Sequence, residues 1–197
     1  MILTSTMLKE NYRHYADPLC KIKRDADQNK IVRLVREIYE TDKNVNPLFL
    51  AAPILSPSYI SFDTALSYYG LIPERVVAIT SVTLGIGKNK TYVNYFGRFE
   101  YSDVPEKVFP NGLTLIKEND YATRIASKEK AICDSLYKWR VTKIVKELKV
   151  LLFEDKRIDE EEFGRCDFFE LLRLARLYRK NNLALLTKLI QKEYLPE

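Results

Sequence analysis

The chain is 197 residues long, 46% hydrophobic and 30% charged, with six glycines and a formal net charge of +5. This composition argues for an ordinary folded protein with a sizeable core, either one large domain or a small domain with a larger one. The mild positive charge is compatible with a polyanionic partner but does not identify one.

In chain order, Leu3, Met7 and Leu8 predict a first short helix ending between Tyr12 and Ala16. Asp17 is placed to cap a second helix with Pro18 at its first position, where the missing N–H costs nothing. That helix runs through Leu19, Ile22 and Ala26 at helical spacing and stops near Gln28-Asn29. IVRLVREIYE (Ile31 to Glu40) reads as a strand pair. Helix, helix and a basic two-stranded element outline a compact winged helix-turn-helix over residues 1–45. An apolar helix, Pro47 to Ile54, bridges to a second domain spanning residues 46–197.

The second domain opens with PSYISFDTALSYYGLIPE (Pro57 to Glu74). Ser61 is expected to cap its helix, Asp63 favours the positive end of the dipole, and Gly70 suits a left-handed terminus. Strands follow at Val76 to Val82 and between Tyr92 and Tyr101, then a hairpin of Leu113 to Ile116 with Tyr121 to Ile125. From Ser127, a predicted cap, the chain turns helical. Ile132, Leu136 and Trp139 share one face, Ile144, Leu148 and Leu151 the next, then Leu171, Leu174 and Tyr178. Asp167 and Glu170 predict a capping box, and a last helix covers Asn182 to Glu193. The expected class is α+β, with a mixed or antiparallel sheet and C-terminal helices.

The chemistry-bearing residues are sparse. His14 is the only histidine and has no clustered partner, so a histidine-based triad is disfavoured. Cys20, Cys133 and Cys166 are scattered, without a CxxC pair, and predict buried free thiols in a reducing cytosol, with no disulfide frame, metal site or cofactor. No apolar run approaches the ~20 residues of a membrane span. The N-terminal stretch lacks the apolar core of a signal peptide, so a cytoplasmic location and no membrane partner are expected. LGIGKNKT (Leu84 to Thr91) lacks the first glycine and the Ser or Thr of a phosphate loop, and reads as a basic hairpin loop. The acidic run Asp155 to Glu162 reads as the solvated start of a helix.

The strongest chemical signal is the basic cluster between Lys21 and Arg36, with six cations (Lys21, Lys23, Arg24, Lys30, Arg33 and Arg36) against two acids. Lys21 and Arg24 are three apart on one helix face, and Arg33 and Arg36 lie on the strand pair. Such residues serve as phosphate anchors, and Arg24 is the preferred base reader because a guanidinium grips guanine bidentately. The bland alternative is a solvated basic face. Two further strips, Lys138 to Lys149 and Arg173 to Lys180, read mainly as the wet sides of amphipathic helices.

The wording of several segments resembles the AbiEi family of antitoxin regulators from type IV toxin–antitoxin (abortive infection) operons. These are PSYISFDTALSYYGLIPE with ITSVT, VREIYETD (Val35 to Asp42), FGRFEYSDVPEKVFPNGL (Phe96 to Leu113) and IASKEKAICDSLY (Ile125 to Tyr137). The resemblance implies a non-enzymatic repressor whose winged helix binds double-stranded DNA at inverted repeats in its own promoter. It also implies that the larger domain counteracts a co-encoded nucleotidyltransferase-like toxin without a stable complex. Glu129, Lys130 and Asp134 match the family's helix and are the candidate antitoxin surface, or alternatively an ion-paired packing face. One departure is Glu37, where such sequences often carry glycine. The rival readings are a protein-interaction module, a transcriptional regulator without antitoxin activity, and a metal-dependent nuclease using Asp103, Glu118 or Glu129.

Overall fold

The computed structural model describes residues 1–74 and 76–195. Its N-terminal unit comprises β1 (Ile2–Thr4), α1 (Ser5–Asn11), α2 (Pro18–Asp27), β2 (Val32–Val35) and β3 (Ile38–Glu40). The three strands form an antiparallel sheet in the order β1-β3-β2. Leu3 lies in β1, not in the first helix as the sequence predicts, because Thr4 caps α1 by accepting from the Met7 N–H at 3.2 Å. Asp17 caps α2 as expected, its carboxylate accepting from the Cys20 N–H at 3.0 Å, with Pro18 in the first turn. Leu3, Leu8, Ile22 and Ile31 form a small core of their own, flanked by Tyr12, Ala26 and Tyr39.

The β2–β3 turn places Glu37 at φ +65°. A left-handed backbone costs an L-residue about 1–2 kcal/mol, and glycine avoids that cost. The departure from glycine noted in the sequence thus falls on the one residue of this turn with positive φ.

A 3₁₀ turn (Pro47–Leu50) and α3 (Ala51–Ile54) lead into β4 (Ser58–Ile60) and α4 (Phe62–Tyr68). Next come β5 (Ala78–Thr83), β6 (Lys90–Asn94), β7 (Gly97–Asp103), β8 (Leu113–Glu118) and β9 (Tyr121–Ala126). The helices α5 (Lys128–Lys138), α6 (Val145–Lys149), α7 (Glu160–Gly164), α8 (Phe168–Ala175) and α9 (Asn181–Glu193) complete the chain. The class is α+β, and the larger sheet is mixed: its six strands run in the order β6-β7-β5-β4-β9-β8, with β5/β7 and β4/β9 parallel. The β8–β9 hairpin is antiparallel, as predicted. The loop after β5 is not a hairpin loop, since β7 lies between β5 and β6. Strand β5 pairs with β7 in parallel and β6 runs antiparallel to β7, so the loop steps past the end of β7 to reach β6, with Gly85 and Gly87 at positive φ.

The main core covers both faces of this sheet. Tyr59 and Val82 lie on the face of α5, where Leu171, Leu174, Leu186 and Leu189 of α8 and α9 join the core. Ile60, Phe99, Tyr101 and Ile125 lie on the other, where the Tyr101 hydroxyl donates to the Ala51 carbonyl at 2.7 Å. Helix α5 is sandwiched, so residues from Lys130 through Leu136 are all buried and the predicted single apolar face widens to the full circumference. Leu34 of β2 and Val45 also belong to this main core. Hydrogen bonds from Asn94 Nδ2 to the Leu34 carbonyl (3.2 Å), from Asn46 Nδ2 to Glu118 (3.1 Å) and from the Tyr121 hydroxyl to Glu40 (2.9 Å) tie the small unit to the large sheet.

The opening signature is explained locally. Helix α4 ends in a Schellman arrangement, with Gly70 at φ +72°, the Gly70 N–H donating to Ser67 and the Leu71 N–H to Leu66. Its start departs from expectation. Ser61 holds the N-cap position, but its hydroxyl makes no cap bond and donates instead to Asp134 at 2.7 Å. The Thr64 N–H is satisfied by Thr80 Oγ1 of β5 at 3.0 Å, and the Thr80 N–H by Thr64 Oγ1 at 2.8 Å. The threonine of ITSVT therefore caps the helix in place of the serine. The Asp167–Glu170 capping box is likewise only half made. Asp167 accepts from the Glu170 N–H, but the Asp167 N–H donates to Glu129 of α5, and Glu170 grips Arg173 instead.

Candidate functional site

The N-terminal unit carries a groove of about 620 Å³ between α2 and the β2–β3 hairpin. Lys23, Arg33 and Arg36 line it from the two sides, over a floor that includes Leu19, Ile22 and Tyr39. Lys23 and Arg33 are exposed, and the Arg36 side chain keeps 87% of its accessible surface. Asp27 and Glu37 also line the groove, and Glu37 lies 3.8 Å from Arg36 in an exposed pair. Such a pair is weak in water and leaves the guanidinium available.

The six sequence-selected cations do not all meet here. Lys21 is withdrawn: its Nζ lies 2.6 Å from Asp25 Oδ1 and 5.4 and 5.2 Å from the ring centres of Tyr12 and Tyr15. Asp25 is buried, and the hydrogen bond from Lys21 holds its carboxyl below the usual carboxylate range. Lys21 is thus paired at the edge of the small core and does not line the groove. The i, i+4 spacing to Asp25 is the signal that marks it. Arg24 and Lys30 are exposed but do not line the groove, whereas Lys23 does, facing the hairpin. The 3.6-residue period puts Leu19, Lys23 and Ala26 on the groove side of α2 once Lys21 turns to Asp25.

Two of the three residues of the candidate surface in the larger domain lie inside the fold. Lys130 and Asp134 are completely buried, and they form one polar cluster. Lys130 Nζ lies 3.0 Å from Asp134 Oδ1 and also donates to the Tyr178 hydroxyl. Asp134 accepts from the hydroxyls of Tyr178, Tyr59 (3.1 Å) and Ser61 (2.7 Å). Burial, reinforced by the Asp134 charge, pushes both tyrosine hydroxyls far above their ordinary ionisation range, so they remain donors. A buried charge persists only when paired and hydrogen-bonded, and this one is. Glu129 is half-buried and accepts from the Asp167 N–H at 3.0 Å. Lys130 and Asp134 of α5, Tyr59 of β4, Ser61 at the start of α4 and Tyr178, which follows α8, are thus one packing device.

The remaining candidates resolve plainly. His14 is exposed, with its ring 4.4 Å from that of Tyr15. Cys133 and Cys166 are buried free thiols, with Cys166 pushed up to about 12 by burial, but Cys20 is exposed, contrary to expectation. It lies on the outward side of α2. The carboxylates of the metal reading do not converge. Asp103 faces Lys138 at 3.7 Å, Glu118 holds Asn46 and Glu129 holds the Asp167 backbone. Among the described residues no group of three or more His, Cys, Asp or Glu is arranged to hold a metal ion, and no helix is long and apolar enough to cross a membrane. Of the acidic run, Asp159 caps α7 and Glu160 to Glu162 form its first turn, as expected, whereas Asp155 lies in the preceding helical turn and pairs with Arg140. Within the C-terminal strips, Lys138, Arg140, Lys149 and Arg173 are each paired with a carboxylate.

Tyr95, in the turn between β6 and β7, also lines the groove, and nothing in the sequence marks it. It lies 59 positions from Arg36, and only the tertiary fold brings the two together. No protein-family model matches the chain, and no curated protein matches it significantly.

Proposed function

We propose that this chain is a cytoplasmic, non-enzymatic DNA-binding regulator whose N-terminal unit acts as a minimal winged helix-turn-helix. In this reading α2 and the β2–β3 hairpin engage double-stranded DNA in the chain's own promoter, at inverted repeats. The observation that supports it best is the groove itself: Lys23, Arg33 and Arg36 face one exposed channel flanked by a helix and a hairpin. Arg24 and Lys30 extend the positive surface beside it. Phosphate contacts from such side chains fix register on a duplex, and a guanidinium at a base edge adds selectivity. The antitoxin role rests on the resemblance of the signature segments to AbiEi proteins. The buried Lys130–Asp134 cluster moves that role away from these two residues, because a packed core pair offers no surface to a partner.

The test is binding of purified protein to the duplex upstream of its own coding sequence, against a scrambled duplex. Replacing Lys23, Arg33 and Arg36 together by Ala is expected to abolish selective binding while the thermal transition stays in place, since all three are exposed. Selective binding that survives the triple substitution contradicts this interface. Co-expression with the product of the adjacent reading frame tests the antitoxin half: the account expects that product to arrest growth alone and growth to be restored by this chain. Continued arrest contradicts it.

A further inference from the structure

Two depressions meet at the β2–β3 hairpin. The α2 groove, of about 620 Å³, is lined by Arg33, Arg36 and Tyr95 among others. A second, of about 400 Å³, is lined by the same Arg33 and Arg36 together with Tyr92, Val93 and Asn94 of β6. The two guanidiniums therefore stand on a ridge, with α2 on one side and the edge strand of the large sheet on the other. Asn94 fixes this arrangement: its side-chain amide donates to the Leu34 carbonyl at 3.2 Å, which holds the β6–β7 turn against β2. Val93 and Tyr95 nevertheless keep 75% and 61% of their surface exposed. Tyr95, whose ring meets that of Phe96 edge-on at 5.2 Å, is thus an exposed aromatic residue held beside two arginines on a turn anchored by a hydrogen bond.

We infer that the β6–β7 turn of the larger domain forms the second wall of the nucleic-acid site, with Tyr95 as a contact residue to the sugar–phosphate backbone of duplex DNA. This inference rests on the DNA-binding reading given above. The chemistry fits a backbone strand lying along the ridge. Arg33 and Arg36 supply charge, and Tyr95 supplies a hydroxyl donor for a phosphate oxygen and a ring face for the adjoining sugar. Tyrosine is suited to this role because its large contact area has few rotatable bonds. The larger domain then senses DNA directly, and the two parts of the chain bind as one platform.

The experiment measures fluorescence anisotropy of a labelled duplex from the chain's own upstream region, across a salt series. It compares wild type, Tyr95→Ala, Tyr95→Glu, Arg33→Ala and, as a distant exposed control, Tyr68→Ala. Tyr95→Ala is expected to weaken binding about tenfold, as for loss of one charge-assisted hydrogen bond, with an unchanged log–log salt slope because no charge is lost. Tyr95→Glu weakens it further, and most at low salt, by setting a carboxylate against phosphate. Arg33→Ala weakens binding and reduces the slope by about one. Tyr68→Ala is expected to bind like wild type. If Arg33→Ala loses affinity while both Tyr95 variants bind like wild type, the second wall is wrong and the N-terminal reading stands. If the wild-type protein binds no duplex at any salt, both fall together.

Discussion

Lys130 shows how little a residue's type says about its place. Lysine is among the residues least often fully buried, yet this one has no exposed surface and is held by Asp134 and Tyr178, with its ammonium 4.9 and 5.5 Å from the ring centres of Tyr178 and Tyr59. Removing one partner of such a pair leaves an uncompensated charge in the core. Lys130→Met is therefore expected to destabilise the fold by about 3–5 kcal/mol in urea unfolding. Adding Asp134→Asn removes the stranded charge while keeping an acceptor for the Tyr59, Ser61 and Tyr178 hydroxyls, so the double variant recovers a large part of that loss. A double variant no more stable than the single one contradicts this account. The sequence announced the Lys-x-x-x-Asp spacing, which allows a pair at i, i+4 but does not say whether the pair is wet. Lys21 and Asp25 repeat the spacing at the edge of the small core, and there too the pairing, not the charge, decides the residue's role.

At the scale of elements, local chemistry was legible wherever it was self-contained. The Asp17-Pro18 start of α2, the strand pair from Ile31 to Glu40, the glycine exit of α4 and the Ser127 cap of α5 all follow from a few adjacent residues. Expectations failed where a distant element supplied the missing partner: Thr80 caps α4, Glu129 takes the N–H that Glu170 was expected to hold, and β7 inserts between β5 and β6. Two glycines separate the local from the distant. Gly70 and Gly112 both have positive φ, at +72° and +63°, but an added Cβ meets nothing within 4 Å at Gly70. At Gly112 it meets Lys130 Cβ at 3.0 Å and Leu174 Cδ1 at 3.1 Å. Gly70→Ala should cost about 1 kcal/mol of backbone strain alone. Gly112→Ala should cost about 2–4 kcal/mol, because overpacking against α5 and α8 adds to the strain. Equal losses in urea unfolding contradict that packing.

On the scale of the whole molecule, the two parts share structure as well as a chain. Leu34 of the small sheet enters the main core, Asn94 and Asn46 bridge the seam, and Glu40 is buried beneath the Tyr121 hydroxyl. None of these ties was visible in the sequence, since each joins residues more than 50 positions apart apart from the local run that carries Val45 into the core. They orient the α2 groove and the β6–β7 turn on one platform, and that orientation makes the proposed function testable as a single binding event. The candidate interface was half legible. Lys23, Arg33 and Arg36 were identifiable by charge and placement, but the withdrawal of Lys21 and the arrival of Tyr95 depend on tertiary contacts. Withdrawing Lys21 leaves five exposed cations on and beside the groove: Lys23, Arg24, Lys30, Arg33 and Arg36.

The most direct test of the central claim is the salt dependence of binding to the chain's own upstream duplex, measured beside a scrambled duplex of equal length. Five phosphate contacts predict selective binding with a log–log slope of roughly −4 to −5. Binding that does not distinguish the two duplexes, or that is insensitive to salt, contradicts the DNA-regulator account.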